Sequence, residues 1–198
     1  FRHIENISKI IAVSSERSQL HNIEFIDSKA TLEATETWKI LVEKINTDFT
    51  LVYTKMLPLR LGQNSLERMM HVAEDTGAGM VYADYFEKKQ GELKPHPVIE
   101  YQEGSLRDDF NFGSILLYKT SALKEAVVSM DKDYQFAALY DLRLKVSQNH
   151  TLVHLPELLY TEIELDTRKS GEKMFDYVDP RNRERQIEME QACTEHLK

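Results

Sequence analysis

The chain has 198 residues, with 25 Lys and Arg against 33 Asp and Glu, a formal net charge of −8; that balance argues against a general nucleic-acid binder, because phosphate contacts need a basic face. This length favours one domain, or one domain with an appended segment, and buries enough surface to fold without a disulfide or a metal. A hydrophobic fraction of 41% excludes wholesale disorder, and the single cysteine, Cys193, excludes a disulfide framework and any multi-cysteine metal cluster.

No apolar run reaches the ~18 residues that cross a bilayer, and no signal peptide is visible, which together point to the cytoplasm. A chain that opens on Phe1 leaves an upstream leader open.

In chain order, Lys9–Ser15 is a short β-branched run, and Ile23–Asp27 alternates apolar and polar as a half-buried strand does. From Ala30 to Asn46 the period changes, with Leu32, Trp38, Leu41, Val42 and Ile45 at helical spacing. Phe49–Thr54 reads as a buried strand that ends at Lys55. Ser65 is the expected N-cap of a helix whose Leu66, Met69, Met70 and Ala73 share a face and which Gly77 and Gly79 terminate. Met80–Asp84 resumes as a strand. This alternation predicts an α/β sheet with mostly parallel neighbours.

The middle of the chain departs from that alternation. Tyr85–Lys89, a Gln90-Gly91 turn and Leu93–Tyr101 predict a β-hairpin, with Pro95 and Pro97 making the return strand an edge. Phe112–Tyr118 is a further buried strand. Thr120 or Ser121 is expected to cap a helix toward Met130, and Phe136–Gln148 forms another. Thr151–His154 and Leu158–Glu162 supply two late strands. From Asp166 the composition turns charged and polar, and a helix is expected between Pro180 and Lys198. It closes without a C-cap glycine, as a piece of a longer protein would. The expected division is therefore a domain over residues 1–165 and a charged helical extension or connector over 166–198.

The ordered series Phe49–Pro58, Ser65–Met70, Gly79–Tyr85, Asn111–Lys119, Tyr140–Lys145 and His154–Tyr160 resembles a family 2 glycosyltransferase of GT-A fold. Gly104–Phe110 and Phe175–Arg181 resemble one bacterial subgroup in which such a domain precedes a second transferase domain. The resemblance covers about residues 9–160 and lacks the family's first strand and helix. It implies a three-layer α/β/α sandwich with a mixed, mainly parallel sheet. It also implies a nucleotide sugar as donor, a carbohydrate acceptor, a role in polysaccharide biosynthesis, and a following transferase domain in the same chain as partner.

Chemistry of that family needs an acidic residue for the nucleotide, an Asp-x-Asp pair for Mg²⁺ or Mn²⁺ on the diphosphate, and a carboxylate that takes the acceptor's proton. At the corresponding places this sequence has Ser14-Ser15, Tyr53-Thr54-Lys55 and Ala138-Leu139. Asp141 lies two residues past the base position, where the family's base does not sit. No cofactor is therefore firmly implied: the family's cation is expected, yet its ligand motif is absent. A general base is worth about 10²–10⁴ in rate, so its loss together with the metal motif predicts a weak or inactive domain within a transferase chain.

In an open α/β sheet, ligands gather at the carboxyl ends of the strands, where Ser14, Ser15, Glu16, Thr54, Lys55 and Asp84 are expected. Ser14, Ser15, Glu16, Thr54 and Lys55 are the candidate nucleotide or diphosphate contacts, with the Lys55 ammonium able to replace a metal as counter-charge. Asp84, Asp108 and Asp109 are the candidate catalytic carboxylates. Against these readings, Lys55 is an ordinary solvated strand end, Asp84 a structural strand-end residue, and Arg107-Asp108-Asp109 a solvated loop. His154 reads as a packed strand residue, and no metal-ligand set is recognised. Three functions stay open: a degenerate module that binds carbohydrate or packs on a neighbouring domain, a metal-independent transferase using Lys55, and a purely structural docking or oligomerisation domain.

Overall fold

The computed structural model describes residues 7–14, 23–26, 31–56, 58–163 and 183–198. Among the described residues there are two sheets. Strands β1 (Ile11–Val13) and β2 (Glu24–Ile26) pair in parallel as a two-stranded sheet of their own. Lys9 and Lys44 both pair with Glu24, which ties this small sheet to the end of helix α1 (Thr35–Lys44). Helix α1 follows the expected face: Trp38 and Leu41 are buried, and the Trp38 indole donates to the Leu32 carbonyl at 2.7 Å.

The main sheet has six strands. Along its path lie β3 (Phe49–Tyr53), β7 (Ile115–Lys119), β5 (Met80–Lys89), β8 (Leu152–Ile163) and β4 (Leu59–Leu61), with β6 (Glu92–His96) paired to β5 alone. The α/β class and the mixed sheet agree with the sequence reading; the mainly parallel pairing does not. Within this sheet β5–β8 is parallel, while β3–β7, β5–β7, β5–β6 and β4–β8 are antiparallel. The alternation of strands and helices does make β3 and β5 run the same way. The later strand β7 then inserts between them in the opposite sense, so they never become neighbours.

Strand β5 is the centre of the core. Met80, Val81, Tyr82 and Ala83 are wholly buried, as a strand flanked on both edges and covered on both faces requires. Beyond Lys89 the chain reverses through Gln90 and Gly91, both at positive φ (51° and 87°), the pair of conformations that a two-residue hairpin turn needs. Strand β6 ends at His96, short of the expected Tyr101, because Pro97 can donate no further ladder bond.

Helix α2 (Ser65–Thr76) buries Leu66, Met69 and Ala73 against the sheet and stops at Gly77, whose φ of 67° gives a left-handed cap. Ser65 does not cap it. Asn64 holds the cap position, and the buried Ser65 hydroxyl instead donates to the Leu159 carbonyl at 2.5 Å, joining α2 to β8. Nor does a side chain cap α3 (Thr120–Val128): the Thr120 hydroxyl meets that of Thr50 at 2.8 Å, across the β3–α3 junction. The two late strands expected from the sequence are one strand, β8. Its ladder to β5 breaks register around Asp84, and this irregularity accommodates Pro156.

Helix α4 (Ala138–Asn149) packs against α3 and α5 (Arg183–His196). Ala192 of α5 is fully buried in a second small core with Tyr134, Ala137, Tyr140 and Leu144. The Glu188 carboxylate accepts from the backbone N–H groups of Gln135, Phe136 and Ala137, where a helix N-terminus favours negative charge. Arg185 pairs with Glu33 through both terminal guanidinium nitrogens. The expected extension thus has its helix laid onto α4; residues 166–182 lie outside the described residues.

Gly113 stands where no side chain fits. Its φ is 74°, and a Cβ there would run into the Tyr160 hydroxyl. Gly113→Ala is therefore expected to lower the unfolding free energy by about 2 kcal/mol or more, read as a lower midpoint in urea denaturation.

Candidate functional site

The carboxyl end of β3 brings Thr54 and Lys55 together with Ser114, Tyr85 and Glu162. Thr54 extends the β3–β7 ladder, its N–H and hydroxyl both directed at the Ser114 carbonyl (3.0 and 3.4 Å). The Lys55 ammonium donates to Glu162 Oε2. Lys55 keeps 42% of its side chain exposed, while Glu162 keeps 5%. Lys55 is therefore not a free strand-end cation: a buried carboxylate 107 residues away in sequence neutralises it. The second oxygen, Glu162 Oε1, is buried without a hydrogen-bond partner among the described residues.

Tyr85 borders this pair, with its ring centroid 6.0 Å from the Lys55 nitrogen. One face stacks on His96 at 4.5 Å and the other on Tyr160 at 5.3 Å. Burial, reinforced by Glu162 and Glu87, raises the Tyr85 hydroxyl above the usual phenol range. Exposed Asn111 reaches the Tyr85 hydroxyl at 3.5 Å and His96 Nε2 at 3.3 Å, and its own oxygen accepts from the Gly113 N–H.

Asp84 lies elsewhere. It sits inside β5, not at a strand end, and strand alternation sends it with Tyr82 to the face opposite Tyr85. Its Oδ1 contacts His154 Nε2 at 2.8 Å and accepts from the Val98 N–H at 2.8 Å, both in a nearly buried setting. The His154 ring stacks on Tyr82 at 5.1 Å. Tyr82 in turn donates to the Ile99 carbonyl and accepts from the Tyr101 N–H, and burial pushes its hydroxyl up to about 12. These contacts pin the segment that leaves the hairpin. His150 and His154 are four residues apart, the spacing of a zinc pair on a helix, but they straddle the end of α4 and the start of β8; His150 turns instead to Glu125.

Asp109 forms a two-bond pair with Arg107 at 2.9 and 3.0 Å, with both side chains more than 60% exposed, and Asp108 is exposed beside them. This is the solvated-loop arrangement. The loop itself is held by Arg143, which is buried on α4. Its guanidinium donates to the Ser105 and Arg107 carbonyls and lies 5.0 Å from the Tyr140 ring centroid. Ser14 belongs to the small sheet, its N–H reaching the Ile26 carbonyl at 3.4 Å; Ser15 and Glu16 lie outside the described residues.

The residues at the end of β3 do not fit a divalent cation. A hard dication takes about six oxygen ligands or more, whereas the described carboxylate there is already bonded to an ammonium that would repel the metal. Sequence reasoning named Lys55 and missed Glu162. The available signal was parity: Glu162 stands two residues after the inward Tyr160, so an alternating strand sends it inward too.

Asp141, the acidic residue near the family's base position, is 2% exposed on α4, and burial lifts its pKa to about 6, with Asp131 and Glu195 adding to the rise and Lys145 opposing it. A folded-state pKa above the unfolded value makes the protonated form the favoured one in the folded protein. Its contribution is then greatest below about pH 4 and is lost as pH rises toward about 6. Asp141→Asn is expected to stabilise the protein above pH 6 by on the order of 1–2 kcal/mol and to flatten the stability profile between pH 4 and 6, as measured by denaturation at fixed pH values.

No known family model and no curated protein matches this chain.

Proposed function

We propose that this domain is a degenerate, family 2-like glycosyltransferase module that binds or positions carbohydrate for a transferase, and that it does not itself transfer sugar. The ordered sequence resemblance supports the family, and the mixed α/β sheet is compatible with it. The observation that carries the loss of activity is the Lys55–Glu162 ion pair. A pyrophosphate needs positive charge beside it. At the end of β3 the ammonium that would supply this is neutralised by Glu162, so the pair offers phosphate no net positive charge.

Two of the three candidate carboxylates already have partners in the fold, and Asp108 is exposed in the loop beside Asp109. Asp84 serves His154 and the Val98 N–H, and Asp109 serves Arg107. A metal-independent transferase would need one of them to reach an acceptor hydroxyl, and a base held in a structural contact loses that freedom.

The test is calorimetric titration with a nucleotide sugar, with and without Mn²⁺, alongside a transfer assay. Neither metal-dependent binding nor transfer is expected. Glu162→Gln frees the Lys55 charge and should tighten pyrophosphate binding about tenfold. Metal-dependent binding with turnover by the unaltered protein would overturn the reading.

A further inference from the structure

Helix α5 is held unevenly along its length. Its first half is clasped: Arg185 pairs with Glu33 and lies 5.6 Å from the Phe136 ring centroid, and the Glu188 carboxylate takes the Gln135, Phe136 and Ala137 N–H groups. Apolar burial adds little, since Ala192 alone of the helix is buried. Around and beyond Ala192 the seat on α4 encloses polar groups that gain no partner. The Tyr134 hydroxyl and His196 Nδ1 are buried without a hydrogen bond among the described residues. Asp141, close to Tyr134, is 2% exposed, and its carboxylate accepts no hydrogen bond among the described residues. Each such group costs free energy while α5 is seated and is relieved by water once the helix lifts.

Charge weakens the same end. Asp141 faces Glu195 of α5 and Asp131 of the α3–α4 loop, and Lys145 on its own helix opposes them. Lys132 and Lys198 hold Glu195 below the usual carboxylate range, so it stays negative when Asp141 ionises. On the other helices packed against α4, Glu125 of α3 is taken by Asn149 and His150, and Lys39 of α1 by Asp133. Burial, with Arg143 and Lys145 nearby, lowers the His196 pKa, so this ring enters the seat neutral.

We infer that α5 is a latch whose end beyond Ala192 lifts from α4 when Asp141 carries its charge. Lifting hydrates Tyr134, Asp141 and His196 and uncovers the apolar Tyr140–Leu144 face of α4. The sign follows from burial, which raises the Asp141 pKa to about 6: the neutral carboxyl favours the seated helix, so this contribution is full below about pH 4 and is lost as pH rises toward about 6. His196 acts in the opposite sense, because its neutral form is the seated one.

The single cysteine of the chain, Cys193, packs partly buried in this seat and reports the lifting. The experiment measures the rate at which dithiodipyridine labels Cys193 in the unaltered chain and in Asp141→Asn, at about pH 4 and about pH 8. His196 titration and the thiolate fraction are common to both proteins and cancel in the ratio of rates. At the higher pH the unaltered protein is expected to react about tenfold faster than the variant, the effect of roughly one pKa unit on the opening equilibrium. At the lower pH the two rates converge. Hydrogen exchange of the β5 amides, followed in parallel, separates lifting of α5 from unfolding of the whole chain. Equal rates at the higher pH, the same ratio at both pH values, or labelling no faster than the β5 amides open would overturn the latch.

Discussion

Glu162 is a carboxylate on a central strand of an α/β sheet, and a charge in that position must be compensated within the fold, since water reaches only 5% of its side chain. Lys55 supplies the compensation. This requirement joins the end of β3 to the end of β8, places the sole described cation of the Tyr53-Thr54-Lys55 stretch against an internal partner, and sets the electrostatics of the sheet edge. With Lys55 paired to Glu162, the charge of that ammonium is compensated inside the fold.

The two faces of β5 divide the labour. One carries Tyr82 and Asp84, which with His154 and Phe112 anchor the segment after the hairpin. Tyr82 binds the backbone of Ile99 and Tyr101, Asp84 that of Val98, and the Phe112 ring meets Tyr82 edge-on at 4.9 Å. Arg143 continues that work on the far side of the same loop, with no carboxylate needed, because carbonyl oxygens and aromatic faces surround its guanidinium. The other face carries Tyr85, stacked between His96 and Tyr160, and opens on Lys55 and Asn111. On the first face the Asp84 carboxylate is held by His154 and by the Val98 N–H.

Local signals were readable wherever they concerned neighbours in the chain. The Trp38–Leu41 helical face, the Gln90-Gly91 reversal, the Gly77 stop and the wholly apolar Met80–Ala83 run all follow from spacing and from the φ values that glycine permits. The caps expected from Ser65 and Thr120 failed for one reason: each hydroxyl had a better partner across the fold, Leu159 and Thr50, and a buried hydroxyl goes to whichever acceptor excludes water. Strand β4 is three residues long and shows no period that could be read, so its existence depends on pairing with β8.

The amino-acid sequence by itself determined an α/β class, most of the helices and strands, the edge hairpin, and the absence of a paired-carboxylate motif at the end of β3. Tertiary structure alone decided that β7 lies between β3 and β5, that Asp84 belongs to His154, and that Lys55 belongs to Glu162. The physical reason is the range of the interactions. Periodicity and backbone preference act over a few residues, whereas strand insertion and charge compensation join groups separated by 36 to 107 positions, and only the folded chain brings those together.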